Sequence, residues 1–248
     1  MTAATLTIER KPPPVLGTFS KAIEGARALS FGMSGGKHCW TGCILHPHST
    51  APDAIGGCYG ERTEAYRANT LGPKLQRHED TPPHELIASA ARELATRHAF
   101  RLPWFRFSPF GQVPEHPPEG FQKLCQRLAK AGTPIHLPIA GPWIVKRYRR
   151  VLEGLNVAVR ESVQSRRRWL TAPGAVSIVA GHGLPRIERV AEAKRFARAR
   201  TAATGRPCKV CPAIAARVDY GGPGSDSAKC GNCTGCADPA TDWVYPLT

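Results

Sequence analysis

The sequence contains no stretch of about eighteen apolar residues, so it predicts no transmembrane helix. Its first residues are polar and rich in proline, and they lack the apolar core of a secretory signal peptide. We therefore expect a cytoplasmic protein that has no membrane partner. In that reducing compartment the nine cysteines indicate metal ligands or reactive thiols and not disulfides. The chain is 248 residues long, which is enough to bury one large core.

Acidic residues are also scarce, because 19 Asp and Glu stand against 34 Lys and Arg and give a formal net charge of +15. That excess fits attraction to nucleic acid or another polyanion, and it equally fits a solvated, arginine-rich surface. Two stretches, around Tyr148 and Trp169, interleave basic and aromatic residues and can hold phosphates and stack bases. A phosphate-binding loop at residues 32–37 is excluded, because Phe31 and His38 stand where that motif needs Gly and Ser or Thr.

Five cysteines lie close together near the end of the sequence. They form a C-x2-C pair and a C-x2-C-x2-C run separated by eighteen residues: Cys208, Cys211, Cys230, Cys233 and Cys236. Such spacing is a strong sign of a metal site. Two C-x2-C pairs are typical of a structural zinc ribbon, whereas three cysteines in seven residues plus a distant one are typical of an iron–sulfur cluster. The spacing alone is compatible with zinc and with an iron–sulfur cluster. It does not show which of the five cysteines is not a ligand.

A second set of cysteines follows the first predicted strand: Cys39, Cys43 and Cys58. Three cysteine ligands suit a 4Fe–4S cluster that leaves one iron open to a small molecule. A neighbouring histidine in place of a fourth cysteine would allow zinc, and thiols without metal are the third alternative. Gly35 and Gly36 let the backbone approach a ligand closely. The remaining cysteine, Cys125, lies on an apolar helical stripe and is predicted to belong to the core.

Strand-like and helix-like segments alternate along the middle of the chain. Strands are predicted at 28–31, 104–107, 135–139, 156–160 and 175–179, and helices at 60–77, 81–98, 120–130, 142–152, 162–170 and 186–200. This rhythm predicts an α/β fold, a partial (β/α) barrel-like parallel sheet with a C-terminal cysteine-rich metal-binding extension. We expect an extended lead-in at 1–27, an α/β core at 28–203 and the cysteine-rich tail at 204–248.

In such folds the chemistry gathers at the C-terminal ends of the strands. Arg106, Ser108 and Arg160 lie near predicted strand ends and would line the mouth of the sheet. A surface or capping role is the alternative for each of them.

The chain resembles the phage and plasmid "gene product 88" family. The likeness rests on the first three cysteines, the stretches 104–111 and 155–162, and the tail cysteines followed by residues 244–247. It runs in order over about residues 28–248 and is most specific in the tail. That family in turn is similar to radical S-adenosylmethionine enzymes, which combine a partial barrel and a three-cysteine N-terminal cluster with, in many members, an auxiliary C-terminal cluster.

The resemblance implies one or two 4Fe–4S clusters on the two cysteine sets and S-adenosylmethionine at the N-terminal one. Together with the glycine loop and the predicted strand ends, it leaves five candidates for cofactor binding: Gly35, Gly36, Ser108, Gly111 and Arg160. The fourteen residues between Cys43 and Cys58 depart from the usual spacing of radical enzymes. The sequence does not identify a substrate. The second hypothesis is that the chain is a zinc-stabilised basic protein that binds nucleic acid.

Overall fold

The structure is a computed structural model that describes residues 14–18, 26–31, 50, 78, 80–95, 100–108, 112–220 and 235–247. Eight of the predicted site residues lie outside these ranges: Gly35, Gly36, Cys39, Cys43, Cys58, Gly111, Cys230 and Cys233. The helix predicted at 60–77 lies outside them as well.

The described residues form one eight-stranded sheet with helices between most of its strands. The strands are β1 Leu16–Thr18, β2 Arg27–Leu29, β3 Phe105–Phe107, β4 Ile135–Ile139, β5 Val157–Val163, β6 Val176–Ala180, β7 Cys208–Val210 and β8 Asp242–Pro246. The helices are α1 Pro83–Ala95, α2 Phe121–Lys130, α3 Pro142–Val151, α4 Arg166–Thr171, α5 Arg186–Thr204 and α6 Pro212–Tyr220, and a short 3-10 helix spans Gly235–Ala237. None of these helices is both long and apolar enough to cross a bilayer.

The strand order is β1-β2-β3-β4-β5-β6-β8-β7, and every pair is parallel except β1 with β2. Helices α2, α3 and α4 each connect one parallel strand to the next. The predicted α/β fold with a parallel sheet is therefore confirmed. In the described part of the chain the sheet is open, with β1 and β7 at its edges. Strand β1 lies within the expected lead-in, and β7 and β8, from the cysteine-rich segment, extend the same sheet.

Alternation along the strands separates an apolar face from a polar one. In β4, Ile135, Leu137 and Ile139 pack into the main hydrophobic cluster with helices α1, α2 and α3, while His136 lies on the opposite side. Cys125 of α2 belongs to that cluster and is fully buried, so its predicted core position is confirmed. Burial raises the pKa of its thiol.

The aromatic residues of the two basic stretches are part of the core. Tyr148 and Trp169 are each 0% exposed. The Tyr148 hydroxyl donates to the Pro114 carbonyl at 2.9 Å, and the Trp169 indole N–H donates to the Phe196 carbonyl at 3.0 Å. The expectation that these rings stack on bases is therefore wrong, because no face of either ring is open to a ligand.

A buried ion pair links β8 to helix α5, which packs on the sheet. The Nε of Arg200, in α5, donates to Asp242 of β8 at 2.9 Å, and both side chains are 0% exposed. The other carboxylate oxygen of Asp242 accepts from the Val176 backbone N–H at 3.0 Å. Arg200 also donates to the carbonyls of Trp169 and Ala172. One pair of charges thus joins α5, α4, β6 and β8.

Replacing Asp242→Asn should destabilise the protein by about 3–5 kcal/mol, because it leaves the Arg200 guanidinium buried without its counter-charge. Urea unfolding followed by circular dichroism measures the change. Glu192→Gln, which breaks the more exposed pair of Glu192 with Arg195 on α5, is the matched control and should cost at most about 1 kcal/mol. Equal losses of unfolding free energy in the Asp242→Asn and Glu192→Gln variants would contradict a larger contribution from the buried pair.

Candidate functional site: the inner face of the sheet and the docked tail

The sheet face opposite helices α1 to α5, which we call the inner face, is lined by polar and aromatic side chains. They alternate along the strands with the core residues: Trp104, Arg106 and Ser108 from β3 and its flanks, His136 from β4, Arg160 from β5, and Trp243 and Tyr245 from β8. The helix face of the same strands is mostly apolar, and its two carboxylates, Glu161 and Asp242, are both engaged in ion pairs.

Arg160 lies at the centre of this face. Its guanidinium holds the tail by binding backbone carbonyls of the tail residues. One terminal nitrogen donates to the carbonyls of Val176 at 3.0 Å and Thr241 at 2.7 Å. The other donates to the carbonyls of Cys236 at 3.2 Å and Asp238 at 2.8 Å. A planar guanidinium suits this task, because its donors are spread in a rigid fork. Three of the four bonds hold the segment 235–241 against the sheet.

Arg160 is buried as a charged side chain, not exposed. It is 0% exposed, so the surface role considered for it is wrong. Burial lowers the pKa of its guanidinium, while Tyr245 and Cys236 act in the opposite direction. Within the described ranges it forms no ion pair, so the backbone carbonyls provide the main compensation for its lost hydration.

The 3-10 helix lies on β4 and β5 and brings Cys236 onto the inner face. Cys236 packs against Trp104 and Ala26, and its Sγ lies 3.2 Å from the Tyr245 hydroxyl. The Trp243 indole N–H donates to the Gly235 carbonyl at 2.8 Å. The tail therefore contacts the inner face through side chains as well as through its carbonyls.

Tyr245 contacts one predicted metal ligand, Cys236, and the preceding residue, Val244, accepts a backbone hydrogen bond from a second, Cys211. Burial raises the pKa of its phenol well above the usual range, and the nearby Cys236 and Cys211 thiols add to the effect. Cys208 lies elsewhere: it packs, with Val210, against the hydrophobic cluster on the helix face. Burial and the nearby Asp242 raise the pKa of the Cys208 thiol to about 12. The two cysteines of the C-x2-C pair thus lie in different surroundings.

His136 is the most unusual group on this face. It is 3% exposed, and neither ring nitrogen has a hydrogen-bond partner in the described part of the protein. The Trp104 ring stands perpendicular to the imidazole, with 6.2 Å between the ring centroids. Burial, and then Arg106 and Arg160, lower the pKa of His136 well below its usual value. The ring is therefore neutral at physiological pH.

Ser108 lies at the C-terminal end of β3, where the prediction put it. Its φ is 44°, which makes it the one non-glycine residue in the described ranges with positive φ. Its N–H donates to the Leu29 carbonyl at 2.7 Å, and its side chain is buried. The surface role considered for Ser108 is wrong. Backbone strain of this kind is often found at functional sites.

The structure thus brings together some of the predicted site residues. Arg160 and Cys236 are in contact, Cys211 lies near them beside Tyr245, and Ser108 is on the same face of the sheet. Sequence reasoning missed His136 and Tyr245. The signal for His136 was available, since it is the polar member of a strand whose alternate residues are Ile and Leu.

No three His, Cys, Asp or Glu side chains of the described residues converge as a metal site requires. Five of the eight predicted metal ligands, however, lie outside those residues. Comparison of the chain with protein family models, with curated proteins and with solved structures gives no match.

Replacing Arg160→Met should release the tail from the inner face. Each lost bond from a charged donor contributes on the order of 1.5–3 kcal/mol, so amide hydrogen exchange in residues 235–241 should accelerate about tenfold or more. Mass spectrometry of peptides from that segment measures the rates. Arg147→Met removes an arginine that pairs with Glu115 at the surface, and it should leave these rates unchanged. Unchanged exchange in the Arg160 variant would show that other contacts dock the tail.

Proposed function

We propose that this protein is an iron–sulfur protein of the phage and plasmid "gene product 88" kind, active in a reducing cytosol. The observation that carries the proposal is the docking of Cys236 on the inner face by Arg160, beside the Tyr245 hydroxyl. A cysteine-rich tail held at the polar face of a parallel sheet is suited to carry a metal group next to a substrate site. The thiol-only donor set of the tail fits iron–sulfur chemistry.

We assign the tail cluster to four of the five tail cysteines: Cys211, Cys230, Cys233 and Cys236. Cys208 is then the tail cysteine that does not bind the cluster. Two observations support this choice: Cys211 and Cys236 both lie near Tyr245, whereas Cys208 packs with Val210 on the helix face.

An iron–sulfur cluster in the tail would supply electron transfer or a ligand site for substrate. Two side chains around Cys236, those of Tyr245 and Arg160, would orient it as a ligand. If Cys236 binds the cluster as a thiolate, the Tyr245 hydroxyl would donate a hydrogen bond to its sulfur, and Arg160 fixes the backbone carbonyls of Cys236 and Asp238. Such outer contacts orient ligands and tune the metal.

We further propose that the open sheet is a partial (β/α) barrel and that Cys39, Cys43 and Cys58 hold a second cluster at its mouth. The consecutive parallel order of β2 to β6, with α2, α3 and α4 as connections, supports the barrel-like form. S-adenosylmethionine is the proposed ligand of that cluster, with Gly35, Gly36, Ser108 and Gly111 near it. Ser108, on the inner face at the end of β3, is the described member of this set.

Cys236→Ala should abolish binding of the tail cluster, because the remaining thiolates lose a ligand on the docked segment. The Cys208→Ala and Cys125→Ala variants should both still bind the tail cluster. Cys125→Ala should lower the free energy of unfolding by about 1 kcal/mol or somewhat more, because it removes core packing. Iron and acid-labile sulfide are counted per chain after anaerobic purification of each variant. Equal loss in Cys208→Ala and Cys236→Ala would refute the assignment of Cys208 as the tail cysteine that does not bind the cluster, and full metal content in every tail variant would refute the tail site.

If the N-terminal cysteines hold a cluster with one open iron, S-adenosylmethionine should alter its electron paramagnetic resonance signal after reduction. Cys39→Ala, Cys43→Ala and Cys58→Ala should each remove that response while the tail cluster survives, because the two sets use separate ligands. A reconstituted protein with a single cluster, or with two that ignore S-adenosylmethionine, would rule out the radical-enzyme proposal and leave the tail cluster standing.

The second candidate is a zinc-stabilised protein that binds nucleic acid. It is favoured by the net charge of +15 and by exposed basic residues on α3 and α4: Lys146, Arg150, Arg166 and Arg167. Contacts from these residues would go to phosphates, since Tyr148 and Trp169 are buried. A colourless zinc protein whose DNA binding weakens steeply with salt would favour this candidate.

A further inference from the structure

Basic residues are concentrated on the exposed surface of helices α2, α3, α4 and α5, which we call the helix layer. The exposed ones that form no ion pair in the described part of the chain are Lys123, Arg127, Lys130, Lys146, Arg150, Arg166, Arg167, Lys194 and Arg198. Helices α2, α3 and α4 contain no Asp or Glu, and α5 contains Glu188 and Glu192. Glu192 pairs with Arg195. The helix layer therefore carries a strong local excess of positive charge.

The other helices of the described chain do not share this excess. Helix α1 packs in the same hydrophobic cluster but carries Glu85 and Glu93 beside a single arginine, Arg92. Helix α6 has one arginine and one aspartate. A surface that serves solubility alone is satisfied by interspersed charges of both signs. A surface of one sign is typical of contact with a polyanion.

The helix layer arranges its charges in rows. Helices α2, α3 and α4 each connect one parallel strand to the next, so they lie side by side on one face of the sheet in strand order. Lys146 and Arg150 are four positions apart and share one side of α3, as Lys194 and Arg198 do on α5. Packed helices lie about 8–10 Å apart, and the major groove between the two phosphate rows of duplex DNA is about 12 Å wide. Neighbouring rows of bases therefore suit the two strands of one duplex.

The aromatic residues of the helix layer favour a duplex over a single strand. Proteins that bind single strands stack the bases on exposed rings. In the helix layer most rings are covered. The guanidinium of Arg166 lies over the ring of Phe196 at 5.8 Å, and Trp143, in the first turn of α3, is 41% exposed. The rings with no exposed surface are those of Phe121, Tyr148 and Trp169.

An anionic membrane is a second kind of polyanion, and the helix layer suits it poorly. Helices that bind a membrane surface insert an apolar face among the lipids, whereas the apolar faces of α2 to α5 are packed on the sheet. The exposed large apolar residues of the described chain lie at one edge of the helix layer. They are Trp143 and Ile187 in the first turns of α3 and α5, and Val179 near the end of β6.

We propose that the helix layer binds double-stranded nucleic acid through its phosphates. This inference rests on the nucleic-acid binding of the second candidate function, for which it names the surface and the form of the nucleic acid. It does not depend on the metal of the tail, since none of the basic residues is a proposed metal ligand. Binding should be independent of sequence, because contacts of lysine and arginine with phosphates carry no sequence information.

Binding of the full-length protein to a short duplex DNA of mixed sequence is measured by fluorescence anisotropy over a series of salt concentrations. The logarithm of the affinity should fall linearly with the logarithm of the salt concentration, with a slope of about −0.9 for each phosphate engaged. A duplex of unrelated sequence should bind equally well, and the corresponding single strand more weakly. Vesicles of equal parts phosphatidylserine and phosphatidylcholine, tested by co-sedimentation, should also bind more weakly.

The double variant Lys146→Gln, Arg150→Gln removes one row of bases from α3. Its salt slope should be shallower by about 2, and its affinity for the duplex should be about tenfold or more lower at roughly 0.1 M salt. The matched control is Arg92→Gln, Lys209→Gln, which removes the same charge from exposed positions on α1 and on the edge strand β7. This control should keep the wild-type slope.

The outcomes separate the surface from the function. If the wild-type protein binds neither duplex nor single strand, the nucleic-acid candidate fails, and this proposal fails with it. If the duplex is bound but the two double variants lose affinity equally, the attraction is general and the helix layer is not the binding surface. Tighter binding to the single strand or to the vesicles than to the duplex would also overturn the proposal.

Discussion

The arrangement of the inner face depends on the burial of one guanidinium. Arg160 lies on the central part of the sheet with no exposed surface, and a charge in that position is tolerated only if its donors are satisfied. Four backbone carbonyls satisfy its two terminal nitrogens, and three of them belong to the tail. Docking of segment 235–241 therefore compensates much of the cost of burying this charge. That coupling places a cysteine, Cys236, beside the polar side chains of β3 to β5.

Strand β8 is held from both sides of the sheet, and this makes the tail an integral part of the fold. On the helix side Asp242 pairs with Arg200, and on the inner side Tyr245 contacts Cys236. A metal group bound by the tail would thus be linked to strand pairing, since loss of ligands would loosen the segment that Arg160 requires.

Much of the fold could be predicted from local pattern, and much of the site could not. The strand at Ile135–Ile139 and the core position of Cys125 follow from the spacing of apolar residues, which local sequence carries. Strand β8 was missed because Asp242 and Pro246 are poor strand residues, and its insertion between β6 and β7 is decided by tertiary contacts. The role of Arg160 was equally hidden, because its partners are backbone carbonyls of residues about eighty positions away.

The identity of the metal that we propose for the tail is the central question, because zinc and iron–sulfur clusters require the same thiolates and differ in what they can do. The most direct measurement is the number of iron, acid-labile sulfide and zinc atoms per chain in anaerobically purified wild-type protein. We predict iron and sulfide in equal numbers, about four of each per cluster, with zinc nearly absent. Zinc bound without sulfide, in a colourless protein of full stability, would contradict the account.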